Sequence, residues 1–378
     1  MKKIFVYGVP FGGLFGIRQL RKQWPESIIY VIAPKTDIGY YSNTYDRFYE
    51  ATTKEQIEEV THKAYQDIGE GEVDAFIFSN RMLEYIIDGN EKIFNLLHFE
   101  NPFSVFKTIV DKNEADKLCR KLGINRPKEY KIDKESHIDG IVYPIVVKPL
   151  EKQKTKNASK CKWINNEEEL VSYIKEIVSA GSSIKNFVFQ QAVSGDNRYE
   201  YGYGGYFVNG HPVIEICFHQ FRQRPQGLCC YAREMTDTNL IQEIKKTAVP
   251  FIKELNYNGF IQFDIKQDMS SGTLFVLDIN PRPWGSSDML RVKLGDTTVF
   301  QPSPTNNFVA WKKLPADFLV SSKTNNNIPH QICKTITGNS GFKTIYALYD
   351  RKDIRPFMAY LKNSTVYLLM DLKHQLHI

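Results

Sequence analysis

The stretch Asn258–Asp288, NGFIQFDIKQDMSSGTLFVLDINPRPWGSSD, decides the fold because it predicts two paired strands that carry polar groups on a shared face. The strands, Phe260–Lys266 and Thr273–Asn280, flank a polar turn that contains glycine. Side chains alternate between the two faces of a strand, so Gln262 and Asp264 lie opposite the neighbouring apolar side chains. We therefore expect one apolar face and one polar face on this pair of strands.

Three oxygen-bearing side chains are expected to converge at the ends of these strands: Asp264, Asp278 and Asn280. Oxygen ligands of modest charge suit Mg²⁺, which usually keeps several waters and is shared with the phosphates of a nucleotide. Arg282 follows directly, and its planar fork suits a phosphate or a carboxylate. The alternative, an ordinary hairpin with a polar end and a proline-rich loop after it, stays open on these residues alone.

Length and composition limit the possible classes of protein. The 378 residues suffice for two or three domains, and 42% apolar with 24% charged residues is ordinary for a globular protein. A net charge of +6 is too weak and dispersed to indicate nucleic-acid binding. No apolar run approaches the ~20 residues of a transmembrane helix. The six cysteines form no CxxC pair, so we predict reduced thiols in a cytoplasmic protein. From the net charge and the apolar runs we predict that it binds neither nucleic acid nor membrane.

The N-terminal residues 1–105 predict a small open α/β domain. The strand Lys3–Tyr7, a glycine-rich loop over Gly8–Gly16 and a helix over Leu14–Gln23 are typical of the start of a βαβ unit. The glycines do not have the GxGxxG spacing, so a tight turn with positive φ is favoured over a nucleotide fingerprint. A further buried strand is predicted at Asp74–Ser79.

A single lysine, Lys148, ends the strongly apolar strand Val142–Pro149. A lysine there needs an anionic partner, which is either a phosphate oxygen or a structural carboxylate. The following segment, Glu151–Lys162, contains five lysines. It is either a solvated loop or a cationic flap that closes on a triphosphate.

The strand Phe187–Gln191 continues into a loop of the kind that offers backbone amides to a purine and a carboxylate to a ribose. Beyond it, Asn209-Gly210 between two alternating segments predicts a hairpin. Arg222 and Arg224 then lie two residues apart in an extended segment and project to the same side. They either clamp a carboxylate or phosphate, or they are solvated at the surface.

Between about Asn101 and Asp296, successive motifs resemble, in order, those of the ATP-grasp superfamily. The motifs are DK at 111–112, LGINRP, VYPIVVKP, FVFQQAVSGDN, NGFIQFDIKQD and VLDINPRPWGSS. The segment from Arg222 to Pro225 and the aromatic Trp284 are similar to the carboxylate–amine ligase-like branch that includes D-aspartate ligase-type enzymes. One departure is the segment Glu151–Lys162, which has none of the glycines usual in the flap.

The resemblance implies roles for individual residues. The implied ATP-phosphate ligands are Lys112 and Lys148, the implied adenine hinge is Gln190, Gln191 and Val193, and the implied ribose contact is Asp196 or Asn197. The implied metal ligands are again Asp264, Asp278 and Asn280. Arg282 would steady an acyl-phosphate, whereas Arg222 and Arg224 are candidates for the substrate carboxylate or the γ-phosphate.

The resemblance also implies an α/β fold with an N-terminal open parallel domain, residues 1–105, followed by an ATP-grasp domain, residues 106–300. That domain would have a lid subdomain at about 128–192 and a central subdomain at about 193–300. We expect residues 301–378 to form a C-terminal extension packed on this domain, with covering of the active site or self-association as open alternatives. Within the extension we predict helices over Phe308–Leu314, Tyr346–Asp353 and Arg355–Lys362.

The implied activity is an ATP- and Mg²⁺-dependent ligase, with Mn²⁺ as the alternative cation. It would join a carboxylate to an amine, with amino acids as the expected substrates, through an acyl-phosphate. ADP and phosphate would be released. A homodimer is an open alternative to a monomer. Other functions stay open: a kinase or carboxylase-like phosphoryl-transfer enzyme, or a nucleotide-binding protein without catalysis.

Overall fold

The computed structural model describes residues 1–69, 71–132, 140–149, 162–224, 228–317, 320 and 341–364. Within these ranges the strands form three sheets, of five, four and seven strands. None of the helices within them is long and apolar enough to cross a membrane. Most of the predicted segment Glu151–Lys162, and also Pro225, lie outside the described residues.

The first sheet is parallel and belongs to the N-terminal part of the chain. Its strands are β1 (Lys3–Tyr7), β2 (Ile28–Ala33), β3 (Arg47–Glu50), β4 (Asp74–Ile77) and β5 (His98–Phe99), in the order β3-β2-β1-β4-β5. Its helices are α1 (Phe11–Gln23), α2 (Lys54–Ile68), α3 (Asn80–Ile87) and α4 (Lys92–Leu96). The predicted open parallel α/β arrangement is confirmed.

The loop predicted over Gly8–Gly16 is wrong, because α1 begins at Phe11. Only Gly8 among its glycines has a positive φ, of 82°. Gly12 is required for a different reason: a Cβ there would lie 2.2 Å from the carbonyl oxygen of Pro283. The glycine therefore allows α1 to approach the loop after the Asp278–Asn280 motif, a contact that a local sequence pattern does not reveal.

The second sheet is antiparallel and small. Its strands are β6 (Glu129–Tyr130), β7 (Ile145–Pro149), β8 (Lys162–Ile164) and β9 (Phe187–Gln191), in the order β6-β9-β7-β8. Helices α5 (Phe103–Val110) and α6 (Lys112–Lys121) precede it, and α7 (Glu167–Ser179) packs on it. Asn166 caps α7 by accepting a hydrogen bond from the backbone N–H of Glu169.

The third, central sheet contains both strands of the stretch Asn258–Asp288. Its strands are β10 (Glu200–Val208), β11 (His211–Gln223), β12 (Cys229–Glu234), β13 (Gly259–Gln267), β14 (Leu274–Asn280), β15 (Val309–Lys312) and β16 (Lys343–Tyr346), in the order β14-β13-β10-β11-β12-β15-β16. The remaining named helices are α8 (Thr238–Glu254) and α9 (Met289–Leu294). Ile261, Phe263 and Ile265 of β13 pack with the buried side of α8. That packing leaves the polar residues of β13 on the other face.

The predicted hairpin at Asn209-Gly210 is confirmed, and both residues have positive φ, of 50° and 73°. In the C-terminal part the helix predicted over Phe308–Leu314 is wrong, because β15 lies there and pairs with β12. The helix predicted over Tyr346–Asp353 is also wrong, since β16 ends at Tyr346. Pairing with the distant strand β12 overrides the local helical pattern in the first segment, whereas residues 347–353 of the second form turns. Residues 355–364 are helical, as predicted for Arg355–Lys362.

Candidate active site

The floor of the candidate site is the polar face shared by β13 and β14. Asp264 pairs with Asp278, and Gln262 pairs with Asn280, in the antiparallel register. Directly paired residues point to the same face, with Cβ atoms about 4.5–5.5 Å apart. The structure therefore brings together all three predicted metal ligands, and it adds Gln262 to them.

Asp264 is held by a set of amide donors. Its Oδ1 accepts from Gln220 Nε2 at 2.8 Å and from Gln262 Nε2 at 2.8 Å. Burial, and after it the charge of Asp278, raise the pKa of the Asp264 carboxyl above its ordinary value. Asp278 itself is exposed. A divalent cation between the two carboxylates would relieve their repulsion, so their chemistry fits such an ion.

No group of three or more His, Cys, Asp or Glu side chains that could hold a metal occurs within the described ranges. Two carboxylates supplemented by an amide oxygen and waters suit Mg²⁺ better than Zn²⁺, which prefers nitrogen and sulfur ligands. The four cysteines that the structure describes are all free thiols, as predicted.

Arg282 lies beside this floor and contacts the N-terminal sheet through α3. Its Nε donates to Asn80 Oδ1 at 2.8 Å, and its Nη2 donates to Asn280 Oδ1 at 3.3 Å. Asn80 Nδ2 in turn donates to Asn280 Oδ1 at 2.7 Å. Burial lowers the pKa of Arg282, and the charges of Asp278 and Asp264 oppose that effect. Asn80 was not among the predicted site residues, because nothing in its local sequence relates it to a motif 200 residues further on.

Two glycines of β10 allow an aromatic pair to lie flat on the polar face. A Cβ on Gly202 would come within 2.1 Å of the Phe218 ring, and one on Gly204 within 3.0 Å of the Trp284 ring. The rings of Phe218 and Trp284 stack with centroids 5.9 Å apart and an interplanar angle of 3°. The sequence signal for this apolar cover is glycine at alternating positions in the segment YGYGG.

The two predicted phosphate lysines lie in different elements. Lys148 is half-buried near the end of β7, opposite Val188 of β9. Lys112 is exposed at the first position of α6, directly after the capping residue Asp111. The second sheet meets the central sheet where Lys266 Nζ lies 5.7 Å from the Trp163 ring centroid.

The predicted adenine hinge runs along the end of β9. Gln190 is buried, and its Nε2 donates to Glu129 Oε1 at 2.9 Å, so its side chain ties β9 to β6. The backbone N–H of Gln191 donates to the Lys128 carbonyl at 2.8 Å, and Val193 is buried. The Gln190 amide and the Gln191 N–H are thus engaged within the protein, and the Ala192 N–H likewise donates to the Pro144 carbonyl at 3.1 Å.

The predicted ribose contacts are more exposed. Asp196 pairs with Arg198, whose hydrogen bonds hold the pKa of that carboxyl below its ordinary value. The carbonyl of Asn197 lies 3.2 Å from Nε2 of His219. Asp196 is thus already paired, whereas the side chain of Asn197 is half-buried at the same turn.

The two candidate substrate arginines differ in their surroundings. Arg222 Nε donates to Asp317 Oδ1 at 2.5 Å, and its guanidinium lies 4.1 Å from the Tyr231 ring centroid. Asp317 is fully buried. The register of β11 against β12 shifts on both sides of Arg222, so the predicted regular alternation with Arg224 is interrupted. Asp317 is a second residue absent from the prediction, since it lies 95 residues from its partner.

The chain matches no protein-family model. A D-aspartate ligase of Enterococcus faecium (strain Aus0004) is 23% identical over 200 residues, which cover 49% of this chain and 47% of that protein. The chain thus spans about half the length of the curated relative that it matches.

Several solved structures have a fold similar to that of this chain. The L-amino acid ligase from Bacillus licheniformis has a TM-score of 0.60 at 14% identity, covering 79% of this chain and 72% of that chain. The N5-carboxyaminoimidazole synthetase from Staphylococcus aureus complexed with ADP has a TM-score of 0.59 at 15% identity, covering 82% and 80%. The biotin carboxylase from Campylobacter jejuni has a TM-score of 0.59 at 12% identity, covering 82% and 74%.

The chain is therefore a mixed α/β protein. Its N-terminal parallel sheet is followed by two sheets that are built mainly from antiparallel strand pairs. In particular, the chain has the ATP-grasp fold, and the prediction of that fold is confirmed. At these identities the likeness to solved structures establishes the fold alone.

Proposed function

We propose that this protein is an ATP-dependent ligase that requires a divalent cation and joins a carboxylate to an amine, with amino acids as substrates. The observation that carries the proposal is the pair Asp264 and Asp278 on the polar face of an ATP-grasp fold, next to Arg282. The names of the D-aspartate ligase and L-amino acid ligase support this substrate class, and the ADP complex of a third protein supports the nucleotide.

Asp264, Asp278 and Asn280 would hold Mg²⁺ or Mn²⁺. Such an ion, when bound, offsets the negative charge of the nucleotide phosphates. Asp278 offers an exposed carboxylate, whereas Asp264 is already fixed by Gln220 and Gln262. Asp278 Oδ1 accepts from the backbone N–H of Ile279 at 3.1 Å, whereas the Asp264 carboxylate is preorganised by two side-chain amides.

The remaining nucleotide contacts follow from the two lysines and the hinge. Lys148 and Lys112 would bind the phosphates as point charges. The backbone from Gln191 to Val193 would meet the adenine, because the Gln190 amide is committed to Glu129. Asn197, or Asp196 after release from Arg198, would meet the ribose.

The proposed reaction needs no nucleophile from the protein. A carboxylate oxygen of the substrate attacks the γ-phosphorus, the bond to the bridging oxygen breaks, and ADP leaves. The amine nitrogen then attacks the acyl carbon, phosphate leaves, and the nitrogen loses a proton. Arg282 would steady the acyl-phosphate, and the Phe218–Trp284 cover would help to exclude water, which otherwise hydrolyses it.

Arg222 and Arg224 would bind the substrate carboxylate or the γ-phosphate. Arg222 Nε is committed to Asp317, so the Nη atoms of its guanidinium are the groups left for a substrate. Its contact with the C-terminal part of the chain would place substrate selection partly under control of residues beyond 300. A cytoplasmic location and a homodimer stay predictions, as do the domain boundaries.

The test is release of ADP and phosphate in a screen of amino-acid pairs, with Mg²⁺ present. We expect release only when both a carboxylate and an amine are supplied, and loss of at least about 100-fold in Asp278→Ala and in Lys148→Ala. The matched controls are Asp296→Ala and Lys185→Ala, which remove exposed charges away from this floor and should keep full turnover.

Other outcomes would point to the alternatives. ADP release with the carboxylate alone would indicate a kinase-like enzyme. A thermal shift with Mg²⁺ and ATP but no turnover would indicate a nucleotide-binding protein, which the absence of glycine from Glu151–Lys162 would favour. If ATP with Mg²⁺ gives no thermal shift and Asp278→Ala has no effect, the proposed nucleotide site is refuted.

A further inference from the structure

A chain of hydrogen bonds connects the N-terminal sheet to the floor of the site. Arg282 Nε donates to Asn80 Oδ1 at 2.8 Å, and Asn80 Nδ2 donates to Asn280 Oδ1 at 2.7 Å. Asn280 Nδ2 donates to Gln262 Oε1 at 3.0 Å, and Gln262 Nε2 donates to Asp264 Oδ1 at 2.8 Å. We call this series of bonds from Arg282 to Asp264 the amide relay.

The direction of the amide relay is set by its two ends. A guanidinium can only donate, and the Asp264 oxygen accepts from two amide groups at once. Each amide between them must therefore receive a hydrogen bond on its oxygen and pass one on from its nitrogen. Arg282 Nη2 adds a second donor to Asn280 Oδ1 at 3.3 Å, which favours the same orientation.

This orientation is the wrong one for a metal ligand. Asn280 turns its Nδ2 toward Asp264, at 3.5 Å from Oδ2, and its oxygen toward Asn80. A hard cation binds the amide oxygen and is repelled by the NH₂ group. Asn280 can therefore reach a cation held by Asp264 and Asp278 only after its amide rotates.

Rotation of Asn280 alone would set its NH₂ group against that of Asn80. Asn80 cannot relieve the conflict by rotating too, because its own NH₂ group would then face Arg282 Nε. The rotated Asn280 also gives up the bond that its Nδ2 donates to Gln262 Oε1 and the bond that its Oδ1 accepts from Arg282 Nη2, so more than one hydrogen bond is lost in either case. The permanent donor at Arg282 thus resists any complete reversal of the amide relay.

We propose that Asn80 is a positioning residue that keeps Asn280 in its non-ligating orientation, so that cation binding is coupled to the contact between α3 and the central sheet. This inference rests on the proposed cation site at Asp264 and Asp278. It adds Asn80, the first residue of α3, to the control of that site and predicts that the native Asn80 weakens cation binding.

The experiment measures Mn²⁺ binding, with and without ADP, by titration calorimetry and by the paramagnetic resonance signal of free Mn²⁺. Loss of one hydrogen bond is typically worth a factor of about two to ten in an equilibrium. We therefore expect Asn80→Ala to lower the Kd for Mn²⁺ by about two- to tenfold. Asn80→Asp, which accepts from Arg282 but cannot donate to Asn280, should change it in the same direction.

Two comparisons separate the amide relay from a general effect on packing. In an Asn280→Ala background, Asn80→Ala should leave the Kd unchanged, since the group on which it acts is gone. The matched control is Asn101→Ala: Asn101 also bridges to the central sheet, with its Nδ2 2.5 Å from the Asn258 carbonyl and its Oδ1 2.8 Å from the Asn258 N–H. It lies outside the amide relay and should not change the Kd.

The outcomes are distinct. An unchanged or higher Kd for Mn²⁺ in both Asn80 variants would overturn the inference. A lower Kd caused by Asn80→Ala in the Asn280→Ala background would overturn it as well. If the parent protein binds no Mn²⁺ even with ADP, the proposed cation site fails and the inference fails with it. Circular dichroism and thermal unfolding show whether each variant is folded. If Asn80→Ala is unfolded, Asn80→Asp takes its place in the test.

Discussion

Glu100 provides a prediction about stability that is independent of catalysis. It lies at the contact between the first sheet and the central sheet, where Tyr206 Oη donates to its Oε1 at 2.7 Å. Gly259 has a φ of +99°, and a Cβ there would come within 2.7 Å of Glu100 Oε2. Burial raises the pKa of Glu100 from 4.5 to about 7, against a smaller lowering by the hydrogen bond from Tyr206.

The sign of the effect on stability follows from proton binding. Between pH 4.5 and about 7 the folded protein keeps the proton of Glu100, whereas the unfolded chain has lost it. The contribution of protonated Glu100 to the free energy of unfolding is therefore fully present below pH 4.5 and is lost as the pH rises through about 7. At about 1.4 kcal/mol per pH unit, the free energy of unfolding should fall by at most ~3 kcal/mol over this window.

The assay compares Glu100→Gln with the parent protein by urea unfolding at pH 5 and pH 8. The glutamine keeps an acceptor for Tyr206 and carries no charge, so the variant should gain up to ~3 kcal/mol relative to the parent between the two pH values. His219, whose pKa is lowered by burial, gives a slope of opposite sign, but it is common to both proteins and cancels in the difference.

The matched control is Glu59→Gln, an exposed residue of α2, for which the difference from the parent should not depend on pH. A difference between Glu100→Gln and the parent that stays constant within ~0.5 kcal/mol from pH 5 to pH 8 would refute the reasoning. Tyr206→Phe offers an independent check of direction. It removes a hydrogen bond that lowers the pKa of Glu100, so the pH at which the free energy of unfolding stops falling should be higher in this variant.

Two further predictions concern packing. Gly12→Ala places a Cβ 2.2 Å from the Pro283 carbonyl oxygen and should cost about 1–3 kcal/mol in urea unfolding, whereas Gly285→Ala, with open space around it, should be neutral. Asp317→Ala removes the buried partner of Arg222 and should cost about 2 kcal/mol or more, because Arg222 is left partly buried without it. Equal midpoints for Gly12→Ala and Gly285→Ala, or for Asp317→Ala and the parent, would contradict these explanations.

Local patterns were sufficient wherever a structural feature depends on neighbours in the chain. The alternation of β13 predicted which of its residues form an apolar face and which form the polar face, and both the packing against α8 and the register confirm it. Asn166 and Asp111 cap α7 and α6, and each accepts hydrogen bonds only from backbone N–H groups within the next three residues, so such a cap depends on local sequence.

Local patterns failed where a distant strand or loop supplies the missing partner. The segment Val309–Lys312 becomes a strand because β12 lies beside it, although its own composition also suits a helix. A glycine is required at position 12 of α1 because the Pro283 carbonyl approaches it closely, which spacing among the N-terminal glycines could not reveal.

The sequence alone determined that a polar floor with Asp264, Asp278 and Asn280 would exist, because a period of two residues places them on one face of a strand pair. Only the tertiary structure decided how that floor is oriented. Asn80 turns the amide of Asn280, and Asp317 holds Arg222, through contacts between residues 200 and 95 positions apart. Many asparagines and aspartates in the chain are chemically equivalent to these two, so their selection depends on the packing of the sheets rather than on any local pattern.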